Sequence, residues 1–251
     1  MDYPFSSDFN TVVAYTIIDG KPVLADATDP FCPNNRIQMQ YMNDKGLVVN
    51  KDNMAWISLQ SPVISALSTS IRIKTTQNLQ QAHLISTASD YEALWYRNNY
   101  ANNRKELLNS LSKKNYQVED SSLTVKNETD RRKPFIYDCN VGYKPEVIND
   151  KIYISPFLNE SYTESPLKQK VRTYPVDLTY PVKRTYLSEI TIPEGYKVEF
   201  LPEKSTFNDE LFNLEYNIWQ DESKVSVCLS YTFNQSVYQP DRSAPSCSLP
   251  Q

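Results

Sequence analysis

The amino-acid sequence predicts a mainly β protein of the α+β class, in which an N-terminal hairpin precedes an antiparallel β-sandwich that carries one helix. The chain of 251 residues contains 4 glycines against 16 prolines and 18 tyrosines, so its turns must be made largely by Asn, Asp and Pro. Short runs rich in Val, Ile, Thr and Tyr recur between turn signals, which is typical of sandwiches. With 40% hydrophobic residues, the chain can bury a core.

The clearest local element is a hairpin near the N-terminus. Residues 11–18 and 21–27 are rich in β-branched and apolar side chains and flank Asp19-Gly20, a dipeptide that accepts the positive φ angles of a two-residue type I′ turn. If Ile18 lies opposite Lys21, then Thr11 lies diagonal to Asp26 on the same face. Both faces of the first strand carry apolar side chains, so we expect protein above and below it.

Composition predicts three parts. Residues 1–57 form an N-terminal unit, residues 58–240 form the sandwich, and residues 241–251, rich in Ser and Pro, form a disordered tail. The strands of the sandwich are predicted from short β-branched and aromatic runs, some of them with alternating polarity. These runs cover residues 66–74, 82–87, 117–126, 134–143, 151–158, 173–178, 184–192, 197–201, 211–220 and 224–233.

One helix is predicted in the sandwich, over residues 89–114. The stretch from Ser89 to Glu92 matches a capping box, in which the serine accepts a first-turn amide and the glutamate reaches back. Leu94 and Leu108 belong to an apolar set at helical spacing. We therefore expect one continuous amphipathic helix that packs against the sheet.

Charge, hydropathy and cysteine spacing exclude several functions. A net charge of −4 gives no general affinity for nucleic acid, which requires clustered cations. No apolar stretch is long enough to span a membrane, and the first residues do not read as a signal peptide. The four cysteines have no C-x-x-C spacing, so the sequence predicts neither a metal site nor a disulfide framework. No cofactor is predicted.

Residues 9–29 carry the pattern Phe-Asn-x-Val-Val-Ala, then Ile-Asp-Gly-Lys, then Asp-Ala-Thr-Asp. This pattern resembles the histidine and aspartate strands of bacterial transglutaminase-like domains, which are cysteine-dependent acyl-transfer or peptidase folds. The resemblance implies a catalytic Cys on a helix before the hairpin, a His at the third position of the pattern, and an Asp that orients the His. Asp26 matches the orienting aspartate, whereas Thr11 occupies the position of the histidine.

The substitution at the histidine position predicts an inactive triad. The hydroxyl of Thr11 cannot accept a proton near neutral pH as an imidazole does, so the general base is missing. The nucleophile is expected to be missing as well, because no Cys precedes Cys32, and Cys32 follows the aspartate, which is the wrong order for the family. His83 is the single histidine of the chain, and we expect a structural role for it. Asp26 is then a vestigial orienting aspartate.

A second resemblance lies further along the chain. Residues 172–181 read Arg-Thr-Tyr-Pro-Val-Asp-Leu-Thr-Tyr-Pro, and residues 192–202 read Ile-Pro-Glu-Gly-Tyr-Lys-Val-Glu-Phe-Leu-Pro. They are similar to the β-rich domain of unknown function at the C-terminal end of bacterial transglutaminase-like proteins. The resemblance implies a periplasmic or extracellular location. In such proteins the export signal belongs to an N-terminal part that comes before the hairpin.

Three hypotheses follow. The first is a non-catalytic accessory or structural module, whose exposed hairpin is covered by a catalytic domain or by another protein chain. The second is a fragment of an active cysteine-dependent acyltransferase or peptidase, in which Asp26 completes a triad. The third is a carbohydrate-binding sandwich, for which a cluster of coplanar exposed aromatic rings would be the mark. The aromatic residues of the predicted helix, Tyr91, Trp95, Tyr96 and Tyr100, more often pack against a sheet.

Overall fold

The computed structural model describes residues 9, 11–42, 45–50, 54–61, 63–76, 79–161 and 172–240. The chain divides into two compact units, residues 1–62 and residues 63–251. The predicted tail over residues 241–251 lies outside the described residues. Neither helix of the described part has the length and apolar content needed to cross a bilayer.

The first unit contains two hairpins and little core. Strands β1 (Ala14–Ile18) and β2 (Lys21–Ala25) pair with Ile18 opposite Lys21, and the turn residues Asp19 and Gly20 have φ angles of 50° and 73°. The predicted hairpin and its register are therefore confirmed. Strands β3 (Lys45–Val49) and β4 (Met54–Ser58) form the second hairpin after a 3-10 helix over Met39–Tyr41.

Burial in the first unit is sparse. Among its described residues, Asp29, Cys32 and Ile37 are the ones that are buried. Val12 is 92% exposed and Ile17 is 63% exposed, although we expected cover on both faces of β1. A small unit that buries so few side chains gains little stability from its own core.

In its described residues, the second unit contains thirteen strands, two α-helices and a 3-10 helix over Asp120–Ser122. Along the chain the strands and α-helices are β5 (Ser65–Thr75), β6 (Gln80–Ala88), α1 (Asp90–Tyr100), α2 (Arg104–Ser112), β7 (Gln117–Val118), β8 (Thr124–Lys126), β9 (Phe135–Tyr143), β10 (Glu146–Ile148), β11 (Lys151–Tyr153), β12 (Val176–Asp177), β13 (Val182–Thr191), β14 (Ser205–Asn208), β15 (Phe212–Gln220), β16 (Lys224–Phe233) and β17 (Val237–Tyr238).

Nine of these strands form one sheet in the order β14-β15-β16-β13-β5-β6-β9-β7, with β8 also paired to β9. All its pairs are antiparallel except that of β5 with β13, which is parallel. Strands β10 and β11, and β12 and β17, form two small separate sheets. The mainly β, α+β class is confirmed. In detail, nine of the described strands form one large sheet with both helices on one side, where we expected two packed sheets.

The sheet has a closed face and an open face. On the closed face, alternate residues of each long strand are buried in one apolar cluster, which includes Ile71 on β5, Leu84 on β6 and Phe135 on β9. Both helices contribute to this cluster, since Tyr96 of α1 stacks on Phe135 with ring centroids 5.4 Å apart and Leu107 of α2 is buried. The intervening residues point to the open face, which is largely polar.

The predicted helix over residues 89–114 is wrong as a single element. Two helices replace it, because the chain breaks after Tyr100, and Asn102 adopts a positive φ of 57°. The expected capping box is wrong as well: Ser89 Oγ accepts the N–H of Ala66 instead. The first turn of α1 is capped from β5, where Ser65 Oγ accepts the N–H of Tyr91 at 3.2 Å.

Candidate functional site

Asp26, the residue matched to the family's aspartate, follows β2 at the start of a loop. Its Oδ1 accepts the N–H of Thr28 at 2.9 Å and the hydroxyl of Thr28 at 2.5 Å, an Asx turn. Its Oδ2 accepts the N–H of Gln38 at 3.4 Å. Partial burial acts to raise the pKa of Asp26, but these hydrogen bonds outweigh it, so the pKa lies below its ordinary value. The carboxylate is therefore charged and bonded within its own loop.

Thr11 lies before the paired part of the hairpin. The ladder of β1 begins at Ala14, opposite Ala25, and no hydrogen bond joins Thr11 to Asp26 in the described part of the chain. The geometry thus places Thr11 near the end of the same hairpin without a catalytic contact. Its assignment to the position of the family's histidine stays a prediction.

The cysteines do not form a nucleophilic or metal site in the described residues. Cys32 is 1% exposed and its N–H donates to the carbonyl of Asp29. Cys139 is fully buried, and burial, reinforced by the charges of Glu160 and Asp138, raises the pKa of its thiol to about 12. Cys228 is half-buried, and burial raises its pKa as well. Neutral thiols are poor nucleophiles. No group of metal-ligating side chains occurs among these residues.

A polar pair on the open face, His83 with Asp138, was not predicted from the sequence. His83 Nε2 on β6 lies 2.6 Å from Asp138 Oδ1 on β9, and about a third of each side chain is exposed. The two residues are 55 positions apart in the chain. They meet because β6 and β9 are neighbouring strands: Asp138 lies opposite Ile85, and His83 is two residues from Ile85 on the same face of β6. The signal available in the sequence was the alternation of two predicted strands, 82–87 and 134–143, but their pairing was not evident.

Among the described residues, the cross-strand neighbours of His83 carry a guanidinium and an amide. The residue opposite His83 on β5 is Arg72, and the one opposite on β9 is Asn140. Asn140 donates to Glu119 at 3.1 Å. None of these groups is a hydroxyl or thiol nucleophile that an imidazole could activate. The His83–Asp138 pair is therefore a cross-strand hydrogen bond on a polar sheet face. The structural role expected for His83 stays a prediction.

A buried ion pair lies on the closed face. The Arg184 guanidinium on β13 binds the carboxylate of Glu92 on α1 at two contacts, 2.7 Å and 2.8 Å, and the hydroxyl of Tyr180 donates to the same carboxylate at 3.2 Å. Burial acts to lower the pKa of Arg184. The hydrogen bonds to Glu92 and the negative charge of Glu92 have a larger opposite effect, so the pKa lies above the ordinary value of arginine. A two-point contact of this kind fixes the orientation of both groups, so it holds α1 on the sheet.

Residues 150–242 match the family model of a domain of unknown function for which a structure has been solved, DUF3858. No curated protein and no solved structure matches the chain. In the fold, the matched residues include four of the nine strands of the large sheet, β13 to β16. Strand β13 pairs with β5, which lies outside the match. The matched segment is therefore one part of a larger sheet.

Proposed function

We propose that this chain is a non-catalytic accessory module of a transglutaminase-like protein. In this proposal the first unit docks on a catalytic-type domain or on another chain, and the second unit is a structural β-rich part. A bacterial source and a periplasmic or extracellular location belong to the same proposal, because they follow from the two resemblances described above.

The observation that carries the proposal is the bonding of Asp26. An orienting aspartate acts by accepting a hydrogen bond from an imidazole, whereas the hydrogen bonds that Asp26 accepts come from Thr28 and Gln38 of its own loop. The single histidine of the chain is bonded to Asp138 in the other unit. The retained hairpin thus favours common ancestry, and its bonding favours a loss of catalysis.

Exposure of the hairpin supports a docking role. Ile17 and Ile18 are each more than half exposed in a strand with apolar residues on both faces. Exposed apolar patches on otherwise polar proteins mark interaction sites. A partner that covers these side chains would also add the burial that the first unit lacks.

The competing hypothesis, a fragment of an active enzyme, predicts activity that depends on Asp26. The test uses the longest natural reading frame that contains this chain. It measures transfer of a fluorescent amine to a glutamine-bearing protein and hydrolysis of a peptide library. We expect neither activity in the parent protein or in Asp26→Asn. Activity in the parent that disappears in Asp26→Asn would overturn the proposal in favour of the enzyme.

A matched variant tests the missing base. Thr11→His restores the residue type that the resemblance implies at this position. If the absence of a base is what prevents catalysis, activity appears in Thr11→His and is lost again in the double variant with Asp26→Asn. No activity in either variant agrees with a site that has lost more than its base.

The carbohydrate-binding hypothesis gains no support from ring geometry in the described part of the second unit, although the exposed rings of Phe9 and Trp56 in the first unit stack with centroids 6.5 Å apart. Trp95 and Trp219 are exposed, but in the described part of the second unit no aromatic pair joins two exposed rings. Trp95 contacts Tyr96 and Tyr100 edge-on, and both of these rings are buried. The aromatic residues of the helix therefore pack on the sheet, as expected from their commoner use.

A further inference from the structure

The hairpin of β1 and β2 has two outer edges, and the residues that face each edge can be deduced from the turn. In an antiparallel pair, residues that exchange main-chain hydrogen bonds alternate with residues whose N–H and C=O point outward. A two-residue turn makes Ile18 and Lys21 a hydrogen-bonded pair. It follows that Ile17 and Tyr15 direct their main-chain groups to the outer edge of β1.

The outer edge of β2 is closed by the chain's own residues. Its outward-facing positions are Pro22, opposite Ile17, and Leu24, opposite Tyr15. Pro22 has no N–H to donate, and the N–H of Leu24 already donates to Asn35 Oδ1 at 3.2 Å. An edge with a proline and an occupied donor does not accept another strand.

The outer edge of β1 has no such protection. Among the described residues, no main-chain hydrogen bond from outside the hairpin reaches Tyr15 or Ile17. Residues 11–18 contain neither a charge nor a proline, which are the usual guards of a free edge. Apolar side chains flank this edge on both faces: Ile17 is 63% exposed on one face, and Val12 and Ile18 are 92% and 54% exposed on the other.

We propose that the outer edge of β1 accepts an extended, uncharged strand from another polypeptide chain by strand addition. The N–H and C=O groups of Tyr15 and Ile17 supply the main-chain hydrogen bonds, and apolar side chains on both faces of the added strand continue the faces of β1. The inference rests on the proposed function, since the strand belongs to the domain that covers the hairpin.

The exposure of the hairpin favours a partner domain over a second copy of this chain. Two copies that paired edge to edge through β1 would satisfy the main-chain groups of Tyr15 and Ile17. They would leave Val12 and Ile18 exposed, because only the edges would meet. A domain that supplies the added strand within its own sheet also covers the faces on either side.

The test measures amide hydrogen exchange of the full chain with and without a strand probe. The probe is a short synthetic peptide of alternating valine and threonine with a lysine at each end, which keeps it soluble. We expect the amides of Tyr15 and Ile17 to exchange about tenfold more slowly at saturating probe. The amide of Thr16 lies in the β1–β2 ladder and serves as the internal reference. Unchanged exchange at Tyr15 and Ile17 would overturn the proposal.

Matched proline variants locate the edge. Ile17→Pro removes an outward N–H from β1 without removing a ladder bond, and it should abolish the protection of Tyr15. Leu24→Pro removes the equivalent N–H from β2 and should leave probe binding unchanged. Equal loss of probe binding in Ile17→Pro and Leu24→Pro would contradict the assignment of the binding site to the outer edge of β1. Protection of the Thr16 amide reports whether each hairpin is intact, and Ile17→Lys replaces Ile17→Pro if the proline disrupts it.

Two further outcomes are informative. Dimerisation of the parent chain that Ile17→Lys abolishes, seen by analytical ultracentrifugation, would replace the partner domain by a second copy and overturn the proposal. Amine transfer that depends on Asp26 would overturn the proposed function without changing the exchange result. The two proposals can therefore fail separately.

Discussion

The two faces of the nine-stranded sheet are built by the same strands and differ in what alternate residues contact. On β6, Leu84 is fully buried in the closed face, whereas the next residue, Ile85, is half-buried on the open face. Each face also carries an ion pair, Glu92 with Arg184 on the closed face and Glu189 with Lys224 on the open face.

From this difference we expect that the surroundings of a residue determine its contribution to stability more than its chemical type does. Glu92 is 7% exposed at its side chain and Glu189 is 43% exposed, while both lie within 3.0 Å of a cation. Solvent screens the exposed pair, whereas the buried pair has given up hydration, which the contacts between Glu92 and Arg184 and the hydroxyl of Tyr180 replace. Variants at equivalent positions of the two faces can test this reasoning.

The largest expected effect concerns the hydroxyl groups of the closed face. Burial, reinforced by other ionisable groups nearby, raises the pKa of Tyr96, Tyr116, Tyr137 and Tyr180 above the ordinary value. Unfolded phenols lose their protons near pH 10, whereas the folded ones retain them. Their contribution to stability is therefore complete below about pH 10 and is lost as the pH rises towards the folded pKa, by about 1.4 kcal/mol per phenol for each pH unit.

Urea unfolding between about pH 9 and pH 11 measures this dependence. In Tyr96→Phe the free energy of unfolding should fall less steeply with rising pH. The difference in slope should be the contribution of one phenol, about 1.4 kcal/mol for each pH unit. The Ser and Thr hydroxyls of the open face do not titrate in this range and provide the contrast. An unchanged slope in Tyr96→Phe would show that this phenol is not held neutral by the fold.

Replacement of one partner in each ion pair should give the next largest effect. Glu92→Leu leaves the guanidinium of Arg184 without its carboxylate on the closed face and should lower the free energy of unfolding by about 3–5 kcal/mol. Glu189→Leu removes an exposed carboxylate and should lower it by at most about 1 kcal/mol. Chemical denaturation followed by circular dichroism gives both values, and losses of similar size would contradict the distinction between the faces.

Truncation of neighbouring residues on β6 compares apolar burial on the two faces. Leu84→Ala creates a cavity in the closed-face cluster and should cost about 2–5 kcal/mol of unfolding free energy. Ile85→Ala removes a half-buried side chain and should cost less than about 2 kcal/mol, because part of the side chain is already in water. A cost for Ile85→Ala equal to that of Leu84→Ala would indicate that the open face is covered in solution.

The smallest expected effect is at the His83–Asp138 pair. Asp138→Asn should lower the free energy of unfolding by no more than about 1 kcal/mol, because both side chains are about a third exposed. Urea unfolding of the parent and the variant measures the difference. A loss well above about 1 kcal/mol would mean that the pair is shielded from solvent.

Local rules in the sequence predicted the parts of this fold that depend on local geometry. Asp19-Gly20 fixed the type of turn, and the turn fixed the register of β1 with β2. Alternation of polarity around Ile71 and Ile73 predicted which side chains of β5 are buried. Of the candidate site, the sequence indicated the position of Asp26 in the hairpin but not the loop residues that bind it.

The features that were missed depend on contacts between distant segments. The break between α1 and α2 follows from the positive φ of Asn102 and the cap supplied by Asn103, which outweigh the apolar periodicity that continues through them. Ser65 Oγ on β5 accepts the N–H of Tyr91 in the first turn of α1, where Ser89 was expected to be the capping side chain. The meeting of His83 with Asp138 required the order of strands in the sheet, which periodicity does not encode.

The parallel pairing of β5 with β13 has a consequence for how the second unit is made. The paired residues, from Ser65 with Val182 to Lys74 with Thr191, are more than a hundred positions apart in the chain. Contacts at such separations slow folding, because a long loop must close before they form. During synthesis, β5, β6 and β9 leave the ribosome well before β13 does. Until β13 has been synthesised, the edge of β5 that pairs with β13 has no partner. During this interval the nascent chain is vulnerable to misassociation with other nascent chains on the same messenger RNA.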